Sequence, residues 1–225
     1  MAEWIPTPTL KNYVLIGEAG CGKSELAINL AAKLRGRGKE VHLFDLDMTK
    51  PLFRTRDAVS KLSDLGVTLH FEEQFMDAPT VTGGVRRCLS DENCDTVLDV
   101  GGDSIGARAI GAYAPMLNRA ETSIWYIINP FRPWSATVSW IDRVLSEILY
   151  VSHIQFHKLC LVANPNFGES TTEADILSGL EVLKAQLADA WNISILALET
   201  RWKNKIEKQT DIPLFPIERY LSYPW

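Results

Sequence analysis

The residues with the clearest chemical potential lie near the start of the chain, where residues 17–24 read G-E-A-G-C-G-K-S. Glycine, lysine and a hydroxyl residue occupy every fixed position of the phosphate-binding pattern G-x-x-x-x-G-K-S/T. Glycines let such a loop turn its backbone N–H groups toward an anion, and the helix that follows points its positive end at the same place. The spacing therefore predicts a loop that binds a nucleoside triphosphate.

Two side chains of this loop have separate expected roles. Lys23 would neutralise the β- and γ-phosphates, and the Ser24 hydroxyl would bind Mg²⁺. The residues of the loop and the first helical turn that we expect to contact the nucleotide are Gly17, Gly20, Cys21, Gly22, Lys23, Ser24 and Glu25.

A triphosphate site also needs carboxylates for the metal and for water, and two apolar segments end in such residues. Asp45 and Asp47 end the segment L-F-D-L-D, and Asp99 ends T-V-L-D. An isolated acid of this kind is often a helix cap or a turn residue. Two acidic segments beside one phosphate loop instead favour a shared metal site.

The elements that must position these residues alternate along the chain. Short apolar runs predict seven strands, at residues 13–16, 41–44, 67–71, 96–100, 123–128, 158–163 and 193–198. Amphipathic stretches predict helices at residues 23–34, 55–65, 107–118, 135–150 and 172–190. This order predicts a three-layer α/β fold with a mostly parallel seven-stranded sheet and helices on both faces. In such sheets, ligands bind beyond the carboxyl ends of the strands, where each of these motifs falls.

The combined pattern resembles the MinD/ParA/CobQ-like branch of P-loop ATPases, the signal-recognition, MinD and BioD class. In that branch a D-x-D switch follows the second strand, matched by Asp45 and Asp47, and a D-x-x-G switch follows a later one, matched by residues 99–102. More narrowly, the chain is similar to an uncharacterised bacterial subgroup whose switch reads D-L-D-x-x-x-P-x-F-R-x-R, here residues 45–56. A D-V-G-G-D stretch and an N-P-F-R-P stretch at residues 129–133 extend that resemblance.

The resemblance implies roles for several of these residues. Asp47 would position the attacking water, which makes it catalytic together with Lys23. Asp99 would hold the metal through water, so that the metal set is Ser24, Asp47 and Asp99. Asn164, just past the sixth predicted strand, would contact the base. Further residues are expected to contact phosphate or to form the switches, namely Asp45, Gly102, Arg54, Arg56 and Arg132.

One position departs from the family pattern. MinD and ParA carry an extra lysine second in the loop, which reaches the partner's nucleotide across a dimer, and here that position is Glu18. An acid beside a triphosphate repels it. We therefore expect Glu18 to point away from the phosphates and to pair with Arg54, Arg56 or Arg132, or with a basic residue of a partner protein.

Composition limits the classes of function. The chain has 225 residues and a formal net charge of −5, which argues against general nucleic-acid binding. We expect one nucleotide-binding domain over residues 1–225, with a core of about 10–200 and a C-terminal extension of 201–225. Neither a secretory signal nor an apolar run of about 20 residues is present, so we expect a cytoplasmic protein with little membrane contact. Its cysteines are then reduced thiols, and we do not expect Cys88 and Cys94 to bind a metal together, because no third ligand is evident beside them in the sequence.

Several weaker patterns have ordinary explanations. Residues 204–207 nearly match the guanine motif N-K-x-D but end in glutamate, which favours adenine. His153 and His157 are expected to be structural histidines, and the basic stretch 201–208 is expected to be a solvated face. Trp134 is the aromatic residue that we expect at a partner contact, with core packing as the alternative.

These observations lead to two hypotheses of function. The first is an ATP- and Mg²⁺-dependent switch with slow hydrolysis, which acts on a protein partner or a metalloenzyme client and forms a homodimer in one nucleotide state. The second is an ATP-dependent phosphotransferase or ligase for a small molecule, similar to relatives of dethiobiotin synthetase. A ligase should turn over ATP only with its acceptor, whereas a switch should hydrolyse slowly alone and respond to a protein.

Overall fold

A computed structural model describes residues 3–47, 59–70, 84–188 and 190–221. Within these residues the chain forms one eight-stranded sheet, and every strand pair in it is parallel. The strands are β1 (Asn12–Ile16), β2 (Glu40–Leu46), β3 (Val67–His70), β4 (Cys94–Val100), β5 (Thr122–Ile128), β6 (Leu159–Ala163), β7 (Ile195–Glu199) and β8 (Leu214–Ile217).

Helices alternate with the strands along the chain. The described helices are α1 (Lys23–Arg35), α2 (Val59–Asp64), α3 (Val85–Ser90), α4 (Ser104–Ala109), α5 (Ala114–Leu117), α6 (Val138–Ser152), α7 (Glu173–Leu187) and α8 (Lys203–Ile206). Short 3₁₀ turns connect several of them.

The strand order, β3-β2-β4-β1-β5-β6-β7-β8, places β1 near the centre of the sheet. Its neighbours are β4 on one side and β5 on the other. Because all strands run in the same direction, the loop after β1 lies between the ends of two groups of strands. The acidic ends of β2 and β4 lie on one side of it, and the amide-rich ends of β5 and β6 lie on the other.

Both faces of the sheet are covered by helices, because side chains alternate between the faces along each buried strand. In β1, Tyr13 and Leu15 pack in the cluster that contains α1, whereas Val14 and Ile16 pack in the opposite cluster with α4, α6 and α7. The three-layer α/β fold with a parallel sheet and helices on both faces is therefore confirmed.

The sheet has one strand more than the sequence predicts. β8 lies in the segment expected to be an extension, and it pairs with β7 from Leu214 to Ile217. Two prolines, Pro213 and Pro216, obscured it, since proline is poorly compatible with a strand interior and is tolerated at an edge. The predicted helix at 107–118 is also divided, because the chain forms a 3₁₀ turn at Gly111–Tyr113 between α4 and α5.

Two predicted features fall partly outside the described residues. The helix expected at 55–65 is seen as α2, and the part before residue 59 is not described. Arg54 and Arg56 lie outside the described residues as well. Within the described ranges, no helix is long and apolar enough to cross a membrane.

Candidate nucleotide-binding site

The loop after β1 has a backbone conformation that requires glycine. Gly17, Gly20 and Gly22 have φ values of 140°, 77° and 100°. A Cβ atom at Gly17 would lie 2.5 Å from the carbonyl oxygen of Ile127, and one at Gly22 would lie 2.3 Å from Nδ2 of Asn164. The loop is thus held against β5 and β6 so closely that side chains at these positions would clash.

Lys23 opens α1, and its side chain folds back over the loop. The side chain is buried, and Nζ donates hydrogen bonds to the carbonyl oxygens of Gly17 at 2.9 Å and Glu18 at 3.0 Å. The ammonium therefore lies inside the curve of the loop, where a bound anion would be closest to it. The neighbouring Cys21 is buried, and burial raises the pKa of its thiol.

The acids meet the loop from the ends of β2 and β4. Asp45 and Asp99 are buried and lie opposite each other in the β2–β4 register. The Asp45 carboxylate accepts a hydrogen bond from the backbone N–H of Asp47 at 3.1 Å. Asp47 lines the same cavity as Ser24, whereas Asp99 is buried and does not line it. The structure thus brings Ser24, Asp47 and Asp99 to one side of the loop.

The segment after β4 lies directly on the phosphate loop. A Cβ atom at Gly102 would be 2.5 Å from the backbone nitrogen of Ala19, and one at Gly101 would be 3.3 Å from the Asp47 carboxylate. Asp103 then caps α4 by accepting a hydrogen bond from Gly106 N–H at 2.8 Å. The two loops therefore pack backbone against backbone at Gly102 and Ala19.

Amide side chains hold the opposite side of the loop. Asn164, at the end of β6, donates from Nδ2 to the carbonyl oxygen of Cys21 at 2.7 Å. Its Oδ1 is buried and has no hydrogen-bond partner among the described residues. Asn129, at the end of β5, donates to the carbonyl oxygen of Asn166 at 2.8 Å and thereby joins the two strand ends. The predicted base-contact residue is thus also a tether for the phosphate loop.

A cavity of about 380 Å³ runs from the phosphate loop past these amides toward the C-terminal segment. The residues that sequence reasoning missed lie mostly at its far end, and they are Asn129, Asn166, Phe167, Gly168, Ile217 and Arg219. A signal for the first four was present in the N-P-F and N-P-N-F-G stretches that follow β5 and β6. The last two follow from β8, which the sequence did not reveal.

The side chain of Glu25 is occupied elsewhere. Its carboxylate is buried and accepts hydrogen bonds from the backbone N–H groups of Tyr220 and Leu221. Burial raises the pKa of this carboxyl, while the two donors act in the opposite direction. Asn29, one turn later, exchanges two hydrogen bonds with the backbone of Glu218. Any contact of Glu25 with a nucleotide would therefore come from its backbone N–H.

Of the partners expected for Glu18, Arg132 is wrong, whereas Arg54 and Arg56 lie outside the described residues and a basic residue of a partner protein stays a prediction. Glu18 accepts a hydrogen bond from Ala19 N–H at 3.1 Å and forms no ion pair within the described part of the chain. Arg132 instead donates from Nε to the carbonyl oxygen of Gly20 at 2.9 Å. Arg132 therefore stabilises the backbone of the phosphate loop and does not neutralise Glu18.

Comparisons with known proteins agree with this geometry. A family model described as the CobQ/CobB/MinD/ParA nucleotide binding domain (CbiA) matches residues 13–185. A search of curated proteins found none that matches this sequence.

Several solved structures share the fold at low sequence identity. Chloroplast FtsY from Physcomitrella patens is 13% identical with a TM-score of 0.51, over 85% of this chain and 62% of that one. FtsY from Mycoplasma mycoides is 17% identical with a TM-score of 0.50, over 84% of this chain and 60% of that one. A signal recognition particle 54 kDa protein from Aeropyrum pernix K1, in complex with GDP, is 17% identical with a TM-score of 0.49, over 79% and 40%. The chain therefore spans only about two fifths to three fifths of these proteins, and the likeness concerns the fold.

Proposed function

The chain belongs to the CobQ/CobB/MinD/ParA nucleotide-binding family of P-loop NTPases, and from that premise we propose that it is an ATP- and Mg²⁺-dependent switch that hydrolyses ATP slowly and signals its nucleotide state to a protein partner. One observation carries the proposal. The segment after β4 touches the phosphate loop backbone to backbone at Gly102 and Ala19. A change at the γ-phosphate would therefore move the start of α4.

The residues present fit a nucleotide with its metal. Glycines in the left-handed region leave the inside of the loop open to phosphate oxygens. Lys23 would exchange its two loop carbonyls for the β- and γ-phosphates, and Ser24 and Asp47 would hold Mg²⁺ with Asp99 behind them. The metal supplies charge neutralisation at the phosphates. Asp47 would orient the attacking water, because the carboxylate of Glu25, the other acid that lines the cavity, is bound to the C-terminal segment.

The residues that follow β6 favour adenine over guanine through the lack of an acid among them. Asn164 presents a buried Oδ1 acceptor that the amino group of either purine would satisfy. Guanine recognition by an N-K-x-D motif depends on a carboxylate near the base. The segment after β6, residues 163–168, contains no acid, and the Glu25 carboxylate already binds the C-terminal segment. The GDP in the similar signal recognition particle protein belongs to that protein.

A competition measurement tests the choice of base. ATP–Mg²⁺ should displace a fluorescent adenine nucleotide from the full chain at a concentration at least tenfold below that of GTP–Mg²⁺. Displacement by GTP at an equal or lower concentration would contradict adenine recognition. Asn166, which lines the same cavity, offers a matched comparison, since Asn164→Ala should reduce the affinity for ATP more than Asn166→Ala.

A surface beside the switch offers a site for the partner. Ile105 on α4 is 64% exposed, and Trp134, Val138 and Trp140 at the start of α6 are 46%, 47% and 40% exposed. Helices α4 and α6 pack together. We call these four residues the apolar shoulder. Exposed apolar side chains grouped this way are typical of protein–protein contacts. Ile105 of the shoulder lies on α4, which follows the segment that touches the phosphate loop, so the shape of the shoulder would depend on the nucleotide.

Capture from a native extract tests the switch. Immobilised chain loaded with a non-hydrolysable ATP analogue should retain a protein that ADP-loaded chain does not retain. Lys23→Ala should lower ATP affinity by about 10- to 150-fold, roughly 1.5–3 kcal/mol for a hydrogen bond to a charged group, and should abolish the difference.

Three other results of this experiment would each lead to a different conclusion. Equal retention of the same protein in ATP and ADP would contradict the switch. ATP turnover that appears only when a small-molecule acceptor is added would instead support a phosphotransferase or ligase. Self-association of the chain in ATP alone would identify a second copy as the partner.

A further inference from the structure

Three metal-binding side chains from three separate elements meet at the end of the sheet opposite the phosphate loop. They are His42 on β2, Cys88 on α3 and Cys94 at the start of β4. Their donor atoms all lie within 4.8 Å of one another. Both cysteines are buried, with 7% and 2% exposure, and His42 is half-buried. The two cysteines are six positions apart in the sequence. His42 is more than forty positions away, so no local pattern associates it with them.

Strand register explains the convergence. β2 and β4 are neighbours in which Glu40 lies opposite Cys94 and His42 lies opposite Thr96. His42 and Cys94 are thus on adjacent strands, offset by two residues in the register. Helix α3 packs against β4 on this face and places Cys88 next to Cys94. The Cys94 thiol donates a hydrogen bond to the Cys88 carbonyl oxygen at 3.2 Å.

A second histidine holds the first in place. His70 on β3 brings Nε2 to 2.8 Å from Nδ1 of His42, and the two rings stack at 5.1 Å between centroids. Metal-binding histidines in proteins are commonly oriented by a hydrogen bond at their other ring nitrogen. His70 occupies that supporting position.

We propose that His42, Cys88 and Cys94 bind a zinc ion, with His70 as the residue that orients His42. Two thiolates and an imidazole are ligands that zinc prefers. Zn–S bonds of about 2.3 Å and Zn–N bonds of about 2.0 Å place donor atoms roughly 3.5–3.8 Å apart in a tetrahedral site. Donors within 4.8 Å therefore need only side-chain rotation to close on the ion. Each thiol would release its proton to solvent on binding.

The proposed zinc site is separate from the nucleotide site. Cys94 begins β4 and Asp99 lies near its end, five residues along, a distance of about 16 Å at roughly 3.3 Å per residue. None of the three ligands lines the cavity at the phosphate loop. The zinc proposal therefore stands or fails independently of the choice of nucleotide and partner.

Cobalt substitution tests the site directly. The full chain, stripped with a chelator and titrated anaerobically with Co²⁺, should develop one equivalent of thiolate-to-cobalt charge-transfer absorption with the visible bands of a tetrahedral ion. One equivalent of Zn²⁺ should then bleach both. Failure of the charge-transfer band to appear at one equivalent would overturn the proposal.

Variants assign the ligands. Cys88→Ser and Cys94→Ser should each weaken Zn²⁺ binding by at least about 100-fold in competition with a fluorescent chelator, and His42→Ala should do the same. His70→Ala should weaken it by about 10- to 100-fold, as expected for a supporting residue.

Cys160→Ser removes a half-buried thiol on β6 and should leave zinc affinity unchanged. Circular dichroism and ATP affinity show whether each variant is folded. If a serine variant unfolds, the zinc affinity of His42→Ala tests the ligand assignment instead. Zinc affinity in Cys88→Ser or His42→Ala equal to that of the wild type would overturn the assignment.

Discussion

Asp47 contacts both acidic strand ends of the site, through Asp45 at the end of β2 and through Gly101 after β4. Its backbone N–H is held by the Asp45 carboxylate, and its own carboxylate lies at the wall of the cavity beside Gly101. It thus connects the end of β2 to the segment after β4. Asp45 and Asp99 are buried, whereas Asp47 reaches the cavity that a nucleotide would enter. A group placed in this way is suited to position water rather than to hold the fold together.

Replacing Asp47 tests that role at the scale of one residue. Asp47→Asn should bind ATP–Mg²⁺ with near wild-type affinity but hydrolyse it about 10²- to 10⁴-fold more slowly, as expected for the loss of a group that positions or deprotonates water. Asp211→Asn changes an exposed acid in the same way and serves as the control. Titration calorimetry and phosphate release measure the two quantities. Hydrolysis at the wild-type rate would remove Asp47 from the catalytic set.

At the scale of elements, the contact between the two loops depends on a missing side chain. Gly102→Ala would place a methyl group 2.5 Å from the Ala19 nitrogen, so the segment before α4 must move away. We expect ATP hydrolysis to fall at least tenfold and the affinity difference between ATP and ADP to shrink. Gly36→Ala, at the end of α1 in a right-handed conformation, is the matched control. A variant that still distinguishes ATP from ADP as the wild type does would show that the contact does not transmit the signal.

The C-terminal segment is attached to α1 through Glu25, and this attachment should depend on pH. Burial raises the pKa of Glu25 in the folded chain above its ordinary 4.5. The folded state therefore binds the proton first and gains stability as pH falls from neutrality through that raised pKa. The free energy of unfolding of the wild type, relative to Glu25→Gln, should increase as the pH is lowered toward about 4.5.

Urea denaturation at several pH values measures this difference. Glu147→Gln, which alters an exposed acid on α6, should give a difference from the wild type that changes little with pH. A pH-independent difference for Glu25→Gln would show that the Glu25 carboxyl titrates alike in the folded and unfolded chains.

Local spacing and long-range register explain which elements were predictable. The phosphate loop and Asp47 could be predicted because eight contiguous residues and an adjacent strand end define them. β8 could not, since Pro213 and Pro216 mask a four-residue edge strand whose partner is β7. The cluster of His42 with the two cysteines depends on the neighbouring positions of β2 and β4, which no local pattern specifies. Arg132 was expected near the site, but its bond to a loop carbonyl rather than to Glu18 depends on side-chain geometry alone.

At the scale of the whole molecule, residues from both ends of the described chain join the central sheet. Glu3 bridges to Leu214 in β8, and the Trp4 ring packs edge-on against Trp125 at 4.9 Å between centroids. This supports our proposal that residues 1–225 form a single nucleotide-binding domain. Glu18 is half-buried in the phosphate loop of this domain, and its carboxylate accepts a hydrogen bond from Ala19 N–H.

Glu18→Lys tests whether the domain retains the capacity to dimerise. The new lysine would restore the positive charge that the family places at this position. We expect ATP-dependent self-association to strengthen by about tenfold, roughly 1.4 kcal/mol, with no change in ADP. Sedimentation velocity in each nucleotide measures this, and Glu147→Lys, which makes the same change of charge at an exposed position on α6, controls for net charge. Unchanged association and unchanged turnover would show that dimerisation of the family type does not apply to this chain.

The position of Arg132 has a spectroscopic consequence. Its guanidinium rests on the Gly20 carbonyl, and two residues later Trp134 meets Trp140 edge to face at 5.9 Å, with both indoles partly in solvent. Indole emission is sensitive to solvent exposure and to neighbouring charge. We therefore expect a rearrangement of the phosphate loop on ATP–Mg²⁺ binding to change the emission of Trp134 and Trp140, and rapid-mixing fluorescence can follow that change without a dye.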